Sequence, residues 1–179
     1  MLYTDIMLRI VMSIVIGGFI GYEREMKNRP AGFVTHTLVC VGACIVSLIQ
    51  IHIVQDTIAQ IEANPILATS LKADIGRIIA QVVTGVGFLG AGTIIFHKGT
   101  VKGLTTATTI WVVACIGLGI GLGYYLMSTM AAVGVLFVII VLKHIEGKAL
   151  DRKYSHSIEI KYDSREQNFI RDIIGLLRK

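Results

Sequence analysis

Charge is scarce in this chain. Only 16% of its 179 residues are Asp, Glu, Lys or Arg, whereas a water-soluble domain carries about a quarter. Proline (two) and aromatic residues (7%) are also sparse, which excludes a Pro-rich or disordered segment of any size. Three cysteines at scattered positions fit neither a disulfide framework nor the common zinc spacings. What the chain has instead is apolar bulk: 54% hydrophobic residues and a mean hydropathy of +0.70. One polytopic, all-helical membrane domain is the class that remains.

The net charge of +5 is unevenly placed. Residues 1–142 carry eight Lys/Arg against six acids, and the tail from Lys143 carries nine against six. A basic cluster directly after an apolar segment reads as an orientation signal facing anionic lipid. Nucleic-acid binding would want aromatic or Gly-rich reading elements among those cations; none is present, and no nucleic-acid partner is expected.

Five apolar stretches match a bilayer core of about 30 Å: Ile6 to Tyr22, Val34 to Val54, Ile75 to Phe96, Leu104 to Gly121 and Tyr124 to Leu142. One long bent helix in place of the last two is the weaker alternative, since only the Gly-rich Gly119–Gly123 divides them. The first stretch lacks a small-residue cleavage site and is expected to stay as a span, not to act as a signal peptide. Cations concentrate after the first span (Arg24, Lys27, Arg29), after the third (Lys98, Lys102) and in the tail, while the other links are nearly free of them. With five spans these segments share one face, so the positive-inside rule predicts an outer N-terminus and a cytoplasmic C-terminus.

Small residues suggest where helices meet. Ser13, Gly17 and Gly21 recur every four positions in the first span; Gly87 and Ala91 do so in the third, within the run Gly85, Gly87, Gly90, Ala91, Gly92. Such stripes let helix backbones approach closely in lipid and predict packing against neighbours or a second copy. Gly85-x-Gly87-x-x-Gly90 also matches the dinucleotide fingerprint, but that motif needs a preceding strand and a soluble helix, and here it lies inside an apolar segment.

Two domains are expected, 1–142 in the membrane and 143–179 as a basic cytoplasmic tail. In the tail, Ser157–Tyr162 alternates as a half-buried strand does. Ser164 and Gln167 form a capping-box pair ahead of Phe169, Ile170, Ile173, Ile174 and Leu177 at helical spacing. One strand and one helix cannot bury a core alone, so this βα segment opens an α+β domain that stops short or leans on a partner.

Ionisable groups in or beside spans are costly and become functional candidates by default. They are Arg9, Glu23, Arg24, Glu25, Asp74 and Arg77, with Gln81 as a polar companion. Asp74, Arg77 and Gln81 share a helix face at the outer end of the third span, and Arg9 lies at the same level. An outer cluster of Arg9, Asp74 and Arg77 is therefore expected, either as an ion-attracting vestibule or, weighed more heavily, as a structural ion pair. Asp74, Glu23 and Glu25 are taken as the only acids near spans and as weak Mg²⁺ candidates. No pair of them but the inner one shares a bilayer depth, which supports a dedicated cage poorly. His36, Cys40 and Cys44 share a stripe that would suit a soft metal but suits ordinary core packing better. Thr105, Thr106, Thr108 and Thr109 line a polar path or bond back to helix carbonyls, and Trp111 lies near the inner boundary. No nucleophile–base pair has a catalytic context, so no enzyme is expected.

Four segments carry a family resemblance: Gly17–Glu25, Ala31–Ala43, Asp74–Ile95 and Gly103–Ala114. They resemble the MgtC/SapB family of bacterial inner-membrane proteins over about residues 6–142. The resemblance implies five spans with the N-terminus outside, and a cytoplasmic ACT-like domain of which this chain shows only a first strand and helix. It further implies a non-enzymatic regulator of other membrane proteins, F-type or P-type ATPases among them, in adaptation to low Mg²⁺, acid or host stress and in virulence. The alternative it carries is transport of Mg²⁺ or another ion. The family's polar positions correspond here to Arg9, Glu23, Arg24, Asp74, Arg77 and Gln81. A homodimer is an expected assembly, and no cofactor is expected beyond Mg²⁺ itself.

Overall fold

A computed structural model describes residues 3–71, 74, 76–97 and 99–142. The expected tail strand at Ser157–Tyr162 and the helix after Ser164 lie outside the described residues. Among those residues are five α-helices and one two-stranded hairpin. The order is α1 (Tyr3–Met26), α2 (Phe33–Ala63), a 3₁₀ turn at Pro65–Thr69, α3 (Arg77–Ala91), β1 (Ile95–His97), β2 (Thr100–Lys102), α4 (Leu104–Gly121) and α5 (Tyr125–Phe137), with a π-helical turn at Val138–Leu142. α1, α2 and α4 are long and apolar enough to cross a membrane; α3 and α5 are shorter apolar helices.

α4 starts and stops where the apolar run does. Gly103, at φ +93°, lets the backbone turn left-handed into the first helical residue, and Gly123, at φ +88°, ends the turn into α5. That turn resolves the alternative of one long bent helix in favour of two helices. α2 outruns its apolar stretch: 31 residues at 1.5 Å each make about 46 Å, because the polar residues from Gln55 to Ala63 continue the helix beyond Val54.

The third stretch is shorter than expected. α3 stops at Ala91, and Ile95–Phe96, expected inside the span, pair instead across an antiparallel hairpin in which Phe96 faces Val101. A short apolar run of β-branched and aromatic residues between glycines suits a strand as well as a helix.

α2 is central. Cys40, Cys44 and Leu48 pack with Ile20 of α1 and with Val113, Ile116 and Ile120 of α4, while Ala43 joins Val86 of α3 and Ala114 of α4 in a second cluster. Close approach at glycines makes this packing tight. A Cβ on Gly17 of α1 would stand 2.7 Å from Cys40 Cβ, and one on Gly21 2.8 Å from the Phe33 backbone. On the opposite side, a Cβ on Gly121 of α4 would stand 2.6 Å from Ser47 Cβ, and one on Gly117 would collide with the Cys40 carbonyl oxygen. In lipid, close backbone approach and dispersion drive helix association, so α2 is gripped by glycines of both α1 and α4, and the two seams share Cys40.

Candidate functional site

Three polar sites lie in the bundle, and none is the outer cluster of Arg9, Asp74 and Arg77 that spacing suggested. Arg9 is buried and fully occupied by other groups. Its Nη2 donates to Asp5 Oδ2 at 2.7 Å, its Nη1 to the Gly121 carbonyl at 2.6 Å and its Nε to Tyr125 Oη at 3.0 Å. Tyr125 Oη in turn donates to Asp5 Oδ1 at 2.5 Å, and the guanidinium carbon lies 5.6 Å from the Tyr125 ring centre. A charge held at membrane depth needs pairing and hydrogen bonding; here Asp5 provides the pairing, and Asp5, Tyr125 and the Gly121 carbonyl share the hydrogen bonds. The sequence reading left Asp5 out of the acids near spans, although its place four residues before Arg9 is the usual helical ion-pair spacing. Tyr125, 116 residues away, carried no local signal.

Asp74 and Arg77 pair with each other, Nε to Oδ2 at 3.1 Å, and both are well exposed. The Gly76 N–H, and then the Arg77 guanidinium, hold the Asp74 carboxyl below the ordinary carboxylate range. Gln81 is exposed on α3. Gln50, buried on α2 and not singled out from the sequence, serves this end of α3 instead. Its Oε1 accepts from the Ile78 N–H at 3.2 Å and its Nε2 donates to the Asp74 carbonyl at 3.0 Å. It supplies the cap that Gly76 has no side chain to give.

At the other end of the bundle, Glu23 pairs with Lys27 at 2.5 Å, and Glu25 accepts the Phe33 N–H at 2.7 Å at the start of α2. Beyond its ion pair, the Glu23 carboxylate is buried and accepts no hydrogen bond among the described residues; Arg24 beside it is buried deeper. It is 1% exposed, its Nη2 donates to Thr106 Oγ1 at 3.2 Å, and its Nε and Nη1 have no partner among the described residues. It lines a cavity of about 490 Å³ with Arg29, Lys102, Gly103, Thr105 and Thr106.

The His36, Cys40 and Cys44 stripe is buried in the α1–α2–α4 core. With the proton on Nδ1, His36 donates to the Gly32 carbonyl at 3.0 Å, and its Nε2 accepts from Thr109 Oγ1 at 3.1 Å. Both ring nitrogens are thereby used, and the cysteines are the small residues against which the glycines close. Among the described residues, no three His, Cys, Asp or Glu side chains come together as a metal site. Thr106 and Thr109 are buried and bonded to Arg24 and His36. Thr105 and Thr108 line an apolar cavity of about 510 Å³ between α4 and α5. Trp111 is 43% exposed on α4.

The small-residue runs divide. Ser13, Gly17 and Gly21 are buried, Gly17 and Gly21 directly against α2. On α3, only Gly90 meets another helix, at Ala107 of α4, and Gly92 touches only its own preceding turn. Gly85 and Gly87 face open space, and Ala91 is exposed. The Gly117 and Gly121 pair, which sequence reasoning passed over, has the same four-residue spacing and forms the second seam.

Comparison with known proteins places this architecture. Residues 10–148 match the MgtC family. A protein of Escherichia coli strain K12 named "Putative magnesium transporter YhiD" is 33% identical over 84% of this chain and 66% of its own length. Protein MgtC of Brucella abortus strain 2308 is 38% identical over 72% of this chain and 46% of its own length. Protein SapB of Bacillus subtilis strain 168 is 29% identical over 98% of this chain and 73% of its own length. The chain thus spans about half to three quarters of the length of these relatives. No solved structure matches it. By the extent of the match to the family and the identity to its relatives, the chain is a membrane protein that belongs to the MgtC family.

Proposed function

We propose that this chain is a five-pass inner-membrane regulator without catalytic activity, which acts by binding other membrane proteins or a second copy of itself. Residues 1–142 form the membrane domain and 143–179 a basic cytoplasmic segment. The N-terminus lies outside and the C-terminus inside. The family resemblance points to P-type or F-type ATPases as partners and to low Mg²⁺, acid or host stress as the setting. Bonded neighbours support the five passes. Gln50 of α2 meets the start of α3, Gly90 near the end of α3 meets Ala107 at the start of α4, and Gly121 at the end of α4 meets Arg9 near the start of α1. At 15 residues, about 22 Å, α3 needs a locally thinned bilayer to cross.

The observation that carries the regulator reading is the pairing of carboxylates. Asp5 and Asp74 are hydrogen-bonded to Arg9 and Arg77 of this chain, and Glu23 is ion-paired with Lys27 through one oxygen, with no hydrogen bond to either oxygen among the described residues. Mg²⁺ needs free oxygen ligands in near-octahedral array, and a carboxylate already held by an ammonium or guanidinium competes poorly for it. Meanwhile α3 leaves Phe88 83% exposed and Leu89 53% exposed beside the open glycines, a face that a partner helix can use.

Transport is the second reading, favoured by the name of the E. coli relative. Purified protein in sealed vesicles with an entrapped Mg²⁺-sensitive dye separates the two. The regulator reading expects influx equal to that of empty vesicles; saturable influx that depends on the protein would overturn it.

A further inference from the structure

The cavity around Arg24 is built like an anion site, and nothing in either functional reading uses it. Three cations line it: Arg24 from the end of α1, Arg29 from the α1–α2 link and Lys102 from β2. Glu23, the neighbouring acid, forms an ion pair with Lys27 and does not line the cavity, although its buried oxygens accept no hydrogen bond among the described residues and offset part of the Arg24 charge. Arg24 is held rigid at 1% exposure with two guanidinium nitrogens unpartnered among the described residues. Leaving such donors unbonded is costly when buried, and a guanidinium fork matches two oxygens of a phosphoryl group.

The wall opposite is the start of α4. Gly103 offers no side-chain cap, so the N–H groups of Leu104, Thr105 and Thr106 lack helical acceptors. A helix start adds partial positive charge and aimed donors to the three side-chain cations.

A second cavity continues the argument. The apolar groove between α4 and α5, about 510 Å³, is lined by Thr105, Thr108, Val112, Ala131, Val135 and Val138 among others. Thr105 lines both cavities. A basic pocket for a head group next to a hydrocarbon groove is the layout a phospholipid needs, and basic pockets between membrane helices on the cytoplasmic side hold anionic head groups.

The geometry points to a phosphoryl-binding site at Arg24, Arg29, Lys102 and the α4 N-terminus, occupied by an anionic phospholipid whose acyl chain lies in the α4–α5 groove. Arg24 and the helix start hold the phosphate, and Arg29 and Lys102 close over it from the exposed side.

The test uses the full chain, delipidated in a neutral detergent. Its melting midpoint is titrated with phosphatidylglycerol, with phosphatidylcholine of the same acyl chains, and with inorganic phosphate at constant ionic strength. The expected result is a saturable rise with phosphatidylglycerol only. Arg29→Gln and Lys102→Gln, both exposed and free to fold, should each weaken the apparent affinity by about tenfold, the loss of one charge-assisted hydrogen bond. Arg77→Gln removes the same charge at the other end of the bundle and should leave the affinity unchanged. Equal rises with both lipids, or equal weakening by Arg77→Gln, would overturn the site. A rise with inorganic phosphate as large as with phosphatidylglycerol would overturn the lipid as its occupant.

Discussion

Replacing Gly121 with alanine adds one methyl group where two helices touch. The new Cβ would stand 2.6 Å from Ser47 Cβ and 3.0 Å from Cys44 Cα, against 3.4–4 Å for an ordinary contact. Because part of the obstacle is α2 backbone, no rotamer change relieves it, and α4 must move away from α2 by about 1 Å at this level. Overpacking a close-packed interior costs typically about 1–3 kcal/mol, and a clash with backbone belongs in the upper part of that range. Alanine recovers about 1 kcal/mol of helix propensity over glycine, which leaves a net loss of about 1–2 kcal/mol. Gly87→Ala is the natural control. Its Cβ meets nothing within 4 Å, so only the propensity gain applies, about 1 kcal/mol. The two substitutions, chemically identical, should therefore change stability in opposite directions and differ by about 2–3 kcal/mol. For a chain of this length that corresponds to melting midpoints about 4–12 °C apart. Intrinsic fluorescence of Trp111, the one tryptophan in the sequence, follows the transition in detergent. Labelling of Cys40 and Cys44, both buried, reports independently when the seam opens. Equal midpoints for Gly121→Ala and Gly87→Ala, or a higher one for Gly121→Ala, would refute the packing argument. The stripe with Gly87 was expected to pack on a neighbouring helix or a second copy, and with nothing within 4 Å of a Cβ there, a bulky side chain should affect only association with another molecule.

Other consequences can be checked with the same preparation. Tyr125→Phe removes the donor to Asp5 and the acceptor for Arg9, and should cost about 1–2 kcal/mol in melting experiments, since both partners are charged; an unchanged midpoint would mean that the network contributes nothing. Thr109→Val leaves His36 Nε2 buried without a partner and should cost about 1–3 kcal/mol, whereas added Zn²⁺ should leave the wild-type midpoint where it is. Asp74 has a lower pKa in the folded chain than in the unfolded one, so its contribution is complete above the ordinary value of 3.8 and disappears as pH falls through the lowered one. Asp74→Asn should flatten that acid limb without disturbing Arg9; a change in the Arg9 environment by NMR would restore the single outer cluster.

How much of this was legible in the sequence depended on the range of the interaction. The bounds of α4 were, because an apolar run flanked by glycines states its own limits. The four-residue spacing of Gly17 and Gly21 marked a packing face locally, but not α2 as the helix that it meets. The seam at Gly117 and Gly121 had the same spacing but was passed over, Gly121 being read only as part of the Gly-rich divider Gly119–Gly123. Hydropathy overextended α3, since Ile94, Ile95 and Phe96 are as apolar as the helix before them and their strand pairing depends on Val101 across a turn. It also cut α2 short, since polar residues continue a helix without adding hydropathy. Shared bilayer depth put Arg9 and Arg77 at one level but could not assign partners. Asp5 was one helical turn away and readable, while Tyr125 became a neighbour only through the α4–α5 turn.

The double grip on α2 has a consequence for how the protein is made. The face against α1 is available as soon as the first two helices emerge, but the face against Gly117 and Gly121 waits roughly sixty residues of further synthesis, about 3–12 s at ordinary elongation rates. During that interval Cys44 and Ser47 sit against acyl chains or an insertion factor, in a half-finished hairpin whose remaining surface is shaped for glycine alone. Variants that crowd the late seam should therefore register first as poor biogenesis and rapid degradation, with the few molecules that mature behaving nearly normally.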